Sequence, residues 1–163
     1  MRNKLIKKTI KSDGLLPNLQ DYDSFCTSFN WENIAKELDG LPQDKGLNIA
    51  YEAVDRHALD HKANKIALRF IGKSNETKDF TFQNLKDLSN QFANVLKKLG
   101  IGKEDRIFTL TGRIPELYFT ALGTWKNRSI FCPLFSVFGP EPIQSRLSIG
   151  SGKVLITTKE RLL

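Results

Sequence analysis

The residues that most restrict what this chain can fold into run from Gly112 to Pro142, GRIPELYFTALGTWKNRSIFCPLFSVFGPEP. Pro115 and Pro140 each suit the first position of a helix, where a missing N–H costs nothing. Each is followed by an acid, Glu116 and Glu141, which favours the positive end of the helix dipole. Between the two helix starts, Ile130, Phe131, Cys132, Leu134 and Phe135 make an apolar run with no polar alternation. Such a run predicts a strand covered on both faces, as in a parallel sheet flanked by helices. The stretch is most of a βαβ unit.

The flanking sequence extends the same pattern. Asp105–Thr111 reads as a strand, followed by a helix over 115–127, a strand over 129–135, a helix over 140–149 and a strand at Lys153–Thr157. Lys159–Leu163 reads as the first turn of another helix. This alternation predicts a mostly parallel sheet with right-handed crossovers. Upstream, Ile49, Ala50, Ala53, Val54, Ala58 and Leu59 keep a helical period, predicting a helix from Leu47 or Asn48 to His61. Lys65–Ile71 and Asp79–Phe82 read as a hairpin across a polar turn. Thr81 is the expected N-cap of a long helix to Leu99, with Leu85, Leu88, Phe92, Val95, Leu96 and Leu99 on one face. Its third position is Asn84 rather than Glu or Gln, so no full capping box is expected. Gly100 and Gly102 stop it. Asn30 caps a short helix through Leu38, and the aromatic residues Tyr22, Phe25, Phe29 and Trp31 around it suggest a segment that packs on the body.

The fold class is therefore α/β: an N-terminal extension, a small hairpin and a long helix, then a βαβαβ parallel-sheet portion. At 163 residues the chain has the size of one domain. The formal charge of +7 hints at a polyanion partner, but Arg2, Lys4, Lys7, Lys8 and Lys11 precede any acid and leave only about +2 for the rest. Residues 1–20 read as a basic, flexible, solvated leader, and neither a nucleic-acid nor a membrane partner is expected. No apolar run approaches the ~18 residues of a membrane span, and MRNKLIKKTIK lacks the apolar core of a secretory signal. Cys26 and Cys132 stand alone, which fits a reducing compartment, with Cys132 as a small buried hydrophobe. A cytoplasmic location is the expectation.

Catalytic signatures are sparse. His57 and His61 are spaced i, i+4 and would present two ligands on one helix face, but the Glu of an H-E-x-x-H zinc site is missing. Surface histidines are the plainer reading. Glu52 and Asp55, beside Arg56, read as surface charges. There is no Gly-x-Ser-x-Gly elbow and no Walker loop. Gly150-Ser151-Gly152-Lys153 has phosphate-loop residue types but joins a helix to a strand, the reverse of a phosphate cradle. The bend Ser136–Glu141 has the right order. There Phe135, Phe138 and the Gly139 backbone suit an apolar shelf for a flat ring at the carboxyl edge of a sheet, or simply pack the sheet.

Three runs carry a family resemblance: LNIAYEAVDRHA (47–58), GRIPELYF (112–119) and FCPLFSVFGPEPI (131–143). They resemble the AMP-forming acetyl-CoA synthetases, of the superfamily that holds the acyl- and aryl-CoA ligases, luciferases and peptide-synthetase adenylation domains. YDSFCTSFNW (22–31) and LDGLP (38–42) resemble that family's N-terminal extension, so residues 21–42 are assigned to it. Residues 43–163 then form the first part of the ligase domain, of the adenylate-forming ligase type. The resemblance implies acetate, ATP with Mg²⁺ and coenzyme A as the intact enzyme's small molecules. It further implies an acetyl-adenylate intermediate from which the coenzyme A thiol displaces AMP.

No Thr/Ser-Gly-Thr-Thr-Gly-x-Pro-Lys-like loop occurs, and the resemblance covers the first quarter to third of a family member. No catalytic or metal-binding residue is therefore assigned, and this stretch alone is expected to be inactive. Phe135, Val137 and Phe138 match family positions near the coenzyme A adenine. Arg128 departs from the family, which usually has Gly there. A left-handed backbone at that position would cost a bulky residue roughly 1 kcal/mol or more. The alternative function is a non-catalytic interaction module, or half of a split ligase, binding coenzyme A or a partner chain.

Overall fold

A computed structural model describes residues 19–161. The expected basic leader lies outside the described residues except for its last two. The chain divides between Leu38 and Asp39 into two compact units.

The first unit holds two short helices, α1 (Tyr22–Ser28) and α2 (Trp31–Ala35). Asp21 caps α1 by accepting from the Ser24 amide at 3.0 Å. Asn30 caps α2 by accepting from the amides of Glu32 (2.7 Å) and Asn33 (3.3 Å), as its side chain predicts. α2 stops at Ala35, short of the expected Leu38. Phe25, Phe29 and Trp31 form a ring chain, with Phe29–Trp31 edge-on at 4.9 Å.

The second unit opens on the segment expected to be one helix to His61. Asn48 does cap it, accepting from the Ala50 and Tyr51 amides. The helix, however, widens to a π-turn over Tyr51–Asp55, tightens to a 3₁₀ turn over Arg56–Ala58, and ends there. Ala50, Val54 and Ala58 face inward and are buried, whereas Leu59 and Ile49 are exposed. The apolar period fails at Leu59, which is where regular structure is lost.

β1 (Ile66–Ile71) and β2 (Thr77–Thr81) pair antiparallel as a hairpin, with an irregularity between Ile66 and Leu68. Arg69 grips Asp79 across the pair through two 2.7 Å bonds. Thr81 caps α3 (Phe82–Lys98). The capping box is complete despite Asn84: its amide donates to Thr81 Oγ1 (3.1 Å) and its Oδ1 accepts from the Thr81 amide (3.0 Å). An amide side chain one methylene shorter than Gln reaches far enough. The buried line of α3 is Leu85, Ser89, Ala93 and Leu96, not the full set of large residues, for Val95 and Leu99 are exposed. Small residues face α4 (Glu116–Lys126) because the helices come close. A Cβ on Gly123 would lie 2.7 Å from the Ser89 carbonyl oxygen.

β3 (Arg106–Leu110) is the middle of a parallel three-stranded sheet, between β4 (Ile130–Pro133) and β5 (Val154–Thr157). α4 joins β3 to β4, and α5 (Pro140–Ile149) joins β4 to β5. The run expected to be covered on both faces is β4, yet it sits at the sheet edge and Ile130 is 42% exposed. Full coverage falls to β3, where Ile107, Phe108, Thr109 and Leu110 are all buried. An edge strand has a neighbour on one side only, and its burial drops accordingly.

α3, α4 and α5 end alike. In each, the residue after the C-cap takes a positive φ and the next two amides turn back to the last carbonyls. α3 uses Gly100 (φ 74°), α4 Arg128 (φ 61°) and α5 Ser151 (φ 47°). For α4, the Arg128 amide donates to the Trp125 carbonyl and the Ser129 amide to the Thr124 carbonyl, both at 3.0 Å. The left-handed backbone at Arg128 is thus real.

Candidate functional site

The bend after β4 places Phe135 two residues beyond the strand's carboxyl end, and the Phe138 amide donates to the Phe135 carbonyl to close the turn (3.0 Å). The two rings meet edge-to-face with centroids 5.8 Å apart. Phe138 is half-buried, and the Arg146 guanidinium lies 4.1 Å above its ring, a cation–π contact. Arg146 also donates to the Pro142 carbonyl at 3.1 Å, which holds it one turn along α5. Phe135 and Val137 are left 64% and 73% exposed. Phe135, Val137 and Phe138 thus lie on one bend, the first two open and Phe138 covered by Arg146.

The same bend is poor at holding a phosphate. Gly139 is the N-cap of α5 and offers no side-chain cap. Pro140 and Pro142 remove two of the first three helix N–H groups, and Glu141 adds a negative charge beside the remaining one. An apolar shelf is what this geometry provides.

The other sequence candidates fall apart or change role. His57 packs at a tilt against the Phe82 ring, with centroids 5.1 Å apart, while His61 lies in the turn beyond the helix and is exposed, so the two share no helix face. Among the described residues no three His, Cys, Asp or Glu side chains cluster as metal ligands. Gly150 and Gly152 sit against the Phe108 ring, where a Cβ would come within 3 Å, so that loop serves helix–sheet packing. Burial pushes the Cys132 thiol above its ordinary value, the opposite of an activated nucleophile.

Glu52 and Asp55 are not the surface charges expected. Glu52 accepts from the Gly40 amide (2.8 Å), the Asp39 amide (3.2 Å) and Arg56 Nη1 (3.0 Å). Asp55 pairs with Lys126 at 2.7 Å, and both side chains are largely buried. Lys126 also donates to Asn90 Oδ1 at 2.8 Å. Burial lowers the Lys126 pKa, opposed by the bond and charge of Asp55. The sequence signal for this pair was the odd placement of polar residues at helix positions flanked by Ala50, Val54 and Ala58.

The pattern of the AMP-binding enzyme family matches residues 54–163. The chain belongs to the AMP-binding enzyme family. Within the wider set of relatives, it is 39% identical over 146 residues to an acetyl-coenzyme A synthetase of Bacillus subtilis, covering 89% of this chain and 25% of that one. It is also 39% identical over 112 residues to an acetyl-coenzyme A synthetase of Methanothrix thermoacetophila, covering 68% and 17%. The crystal structure of a Brucella canis acyl-CoA synthetase superposes with a TM-score of 0.74 at 35% identity, over 83% of this chain and 24% of that one. The α/β architecture with its parallel sheet is the family's. The chain spans about a quarter or less of the length of these two curated relatives. No helix among the described residues is long and apolar enough to cross a membrane.

Proposed function

We propose that this chain forms the opening part of an AMP-forming acetate–CoA ligase: residues 21–42 its N-terminal extension and residues 43–163 the first part of its ligase domain. The observation that carries the reading is the 39% identity to an acetyl-coenzyme A synthetase across 89% of the chain. In the intact enzyme, acetate and ATP with Mg²⁺ give acetyl-adenylate and pyrophosphate, and the thiol of coenzyme A then displaces AMP. Residues 1–163 contain no Ser/Thr/Gly-rich phosphate loop, so the adenylation step is not assigned to any of them.

Of the ligase's small molecules, coenzyme A is the one we assign to residues of this stretch. Phe135 and Val137 are open apolar surface at the carboxyl edge of a parallel sheet, where ligands of such sheets bind. Phe138, fixed by Phe135 and Arg146, backs them. Their part is to stack against and orient the adenine. The reacting thiol is handled elsewhere.

The test replaces the matching quarter of the Bacillus subtilis relative with this chain. Turnover of acetate by the chimera supports the reading, and a well-folded but inactive chimera contradicts it. In an active chimera, Phe135→Ala raises the KM for coenzyme A about tenfold, the value of one base–aromatic stack. Acetate-dependent pyrophosphate exchange should not change.

A further inference from the structure

A second cleft lies in the same unit, on the helical layer. It has a volume of ≈ 430 Å³ and is bounded by the π-turn, α3 and the end of α4. Its charged lining is Lys97, Lys126, Arg128 and Asp55, with Asn90 and Asn94 among the polar groups. Asp55 and Lys126 neutralise one another at 2.7 Å. Lys97 and Arg128 remain, two cations with no ion pair among the described residues. A cleft with two uncompensated cations and one engaged acid selects an anion over a metal ion.

The backbone adds to the case. Arg128 holds a left-handed conformation that an L side chain disfavours, whereas glycine would make the same turn without that cost. The turn is pinned on both sides: Asn127 Nδ2 donates to the Ile101 carbonyl and to Ser129 Oγ, both at 3.0 Å, and the Glu104 amide donates to the Arg128 carbonyl at 3.0 Å. What this position gains from arginine is a guanidinium in the cleft wall. Its fork of donors matches the oxygens of a phosphate group.

We propose that this cleft binds the phosphate dianion of a small ligand, with Lys97 and Arg128 as its charge partners and the amides of Asn90 and Asn94 beside it. The volume exceeds that of a bare phosphate and suits a small phosphomonoester. The cleft is separate from the shelf at Phe135, and the inference does not depend on the ligase reading.

The experiment follows thermal unfolding of the 163-residue chain in inorganic phosphate, glycerol 3-phosphate or chloride at matched ionic strength. Both phosphate compounds should raise the midpoint saturably and chloride should not. A larger response to glycerol 3-phosphate identifies a phosphomonoester, and an equal one identifies free phosphate. Arg128→Gly removes the strained backbone, so it should unfold at a higher temperature without phosphate, yet bind phosphate about tenfold more weakly. Lys97→Gln, at an exposed position, should weaken binding similarly without the gain in stability. A phosphate response no larger than that of chloride would overturn the proposal, as would full retention of that response in both variants.

Discussion

The α3–α4 layer and the bend after β4 belong to one compact unit but treat their side chains in opposite ways. In the helical layer Lys126, Asp55, Asn90 and Asn48 bond to one another or to backbone, and small residues let the helices touch. At the bend, Phe135 and Val137 lie open, and Arg146 is stacked on the Phe138 ring. A closed polar network specifies a fold, whereas an open apolar shelf at a sheet's carboxyl edge offers a surface to something else. If that contrast is right, breaking the bonds among Asp55, Lys126 and Asn90 or the close helix contact costs stability, and substitutions at the shelf cost binding.

The largest effect is expected at Asp55. Asp55→Ala strands the Lys126 ammonium in a largely buried position and should cost about 2–3 kcal/mol in a denaturant titration. Gly123→Ala comes next, at about 1–3 kcal/mol, because the new methyl meets the Ser89 carbonyl and the helices must part. Arg128→Gly should stabilise the chain by about 0.5–1 kcal/mol, the left-handed cost less the extra unfolded-state freedom of glycine. Phe135→Ala should change stability by no more than about 0.5 kcal/mol, and a larger loss would make the shelf part of the core and break the comparison.

The smallest effect concerns the hairpin. Arg69 holds the Asp79 carboxyl below its ordinary 3.8. The folded pKa is depressed, so the contribution is present above the ordinary value and is lost as pH falls through the folded one. The protection of the β1–β2 amides, taken relative to intrinsic exchange at each pH, should therefore fall only in that acid range, while α3 and α4 stay protected.

Much of this layout was legible in the residues. Proline–acid pairs placed the starts of α4 and α5, Thr81 and Asn30 placed the starts of α3 and α2, and the three parallel strands followed from apolar runs between helices. The misreadings share a cause. β4 was expected to be covered on both faces because its own residues are apolar, but a strand's burial also depends on its place in the sheet, which is set by pairing partners far along the chain. Val95 and Leu99 were expected inside, yet the line of α3 that meets α4 is set by Ser89, Ala93 and Gly123, small residues with no hydropathy signal. Glu52 and Asp55 read as surface charges because their partners, the Gly40 amide and Lys126, are remote in sequence. The shelf was visible as residues, but the Arg146 cap on Phe138 depended on the turn of α5.

The most direct test of the ligase reading is acetate-dependent pyrophosphate release, measured in parallel on the purified 163-residue chain and on its chimera with the Bacillus subtilis relative. We expect none from the chain alone and robust release from the chimera. Turnover by the chain alone, or a folded chimera with no activity, would contradict it.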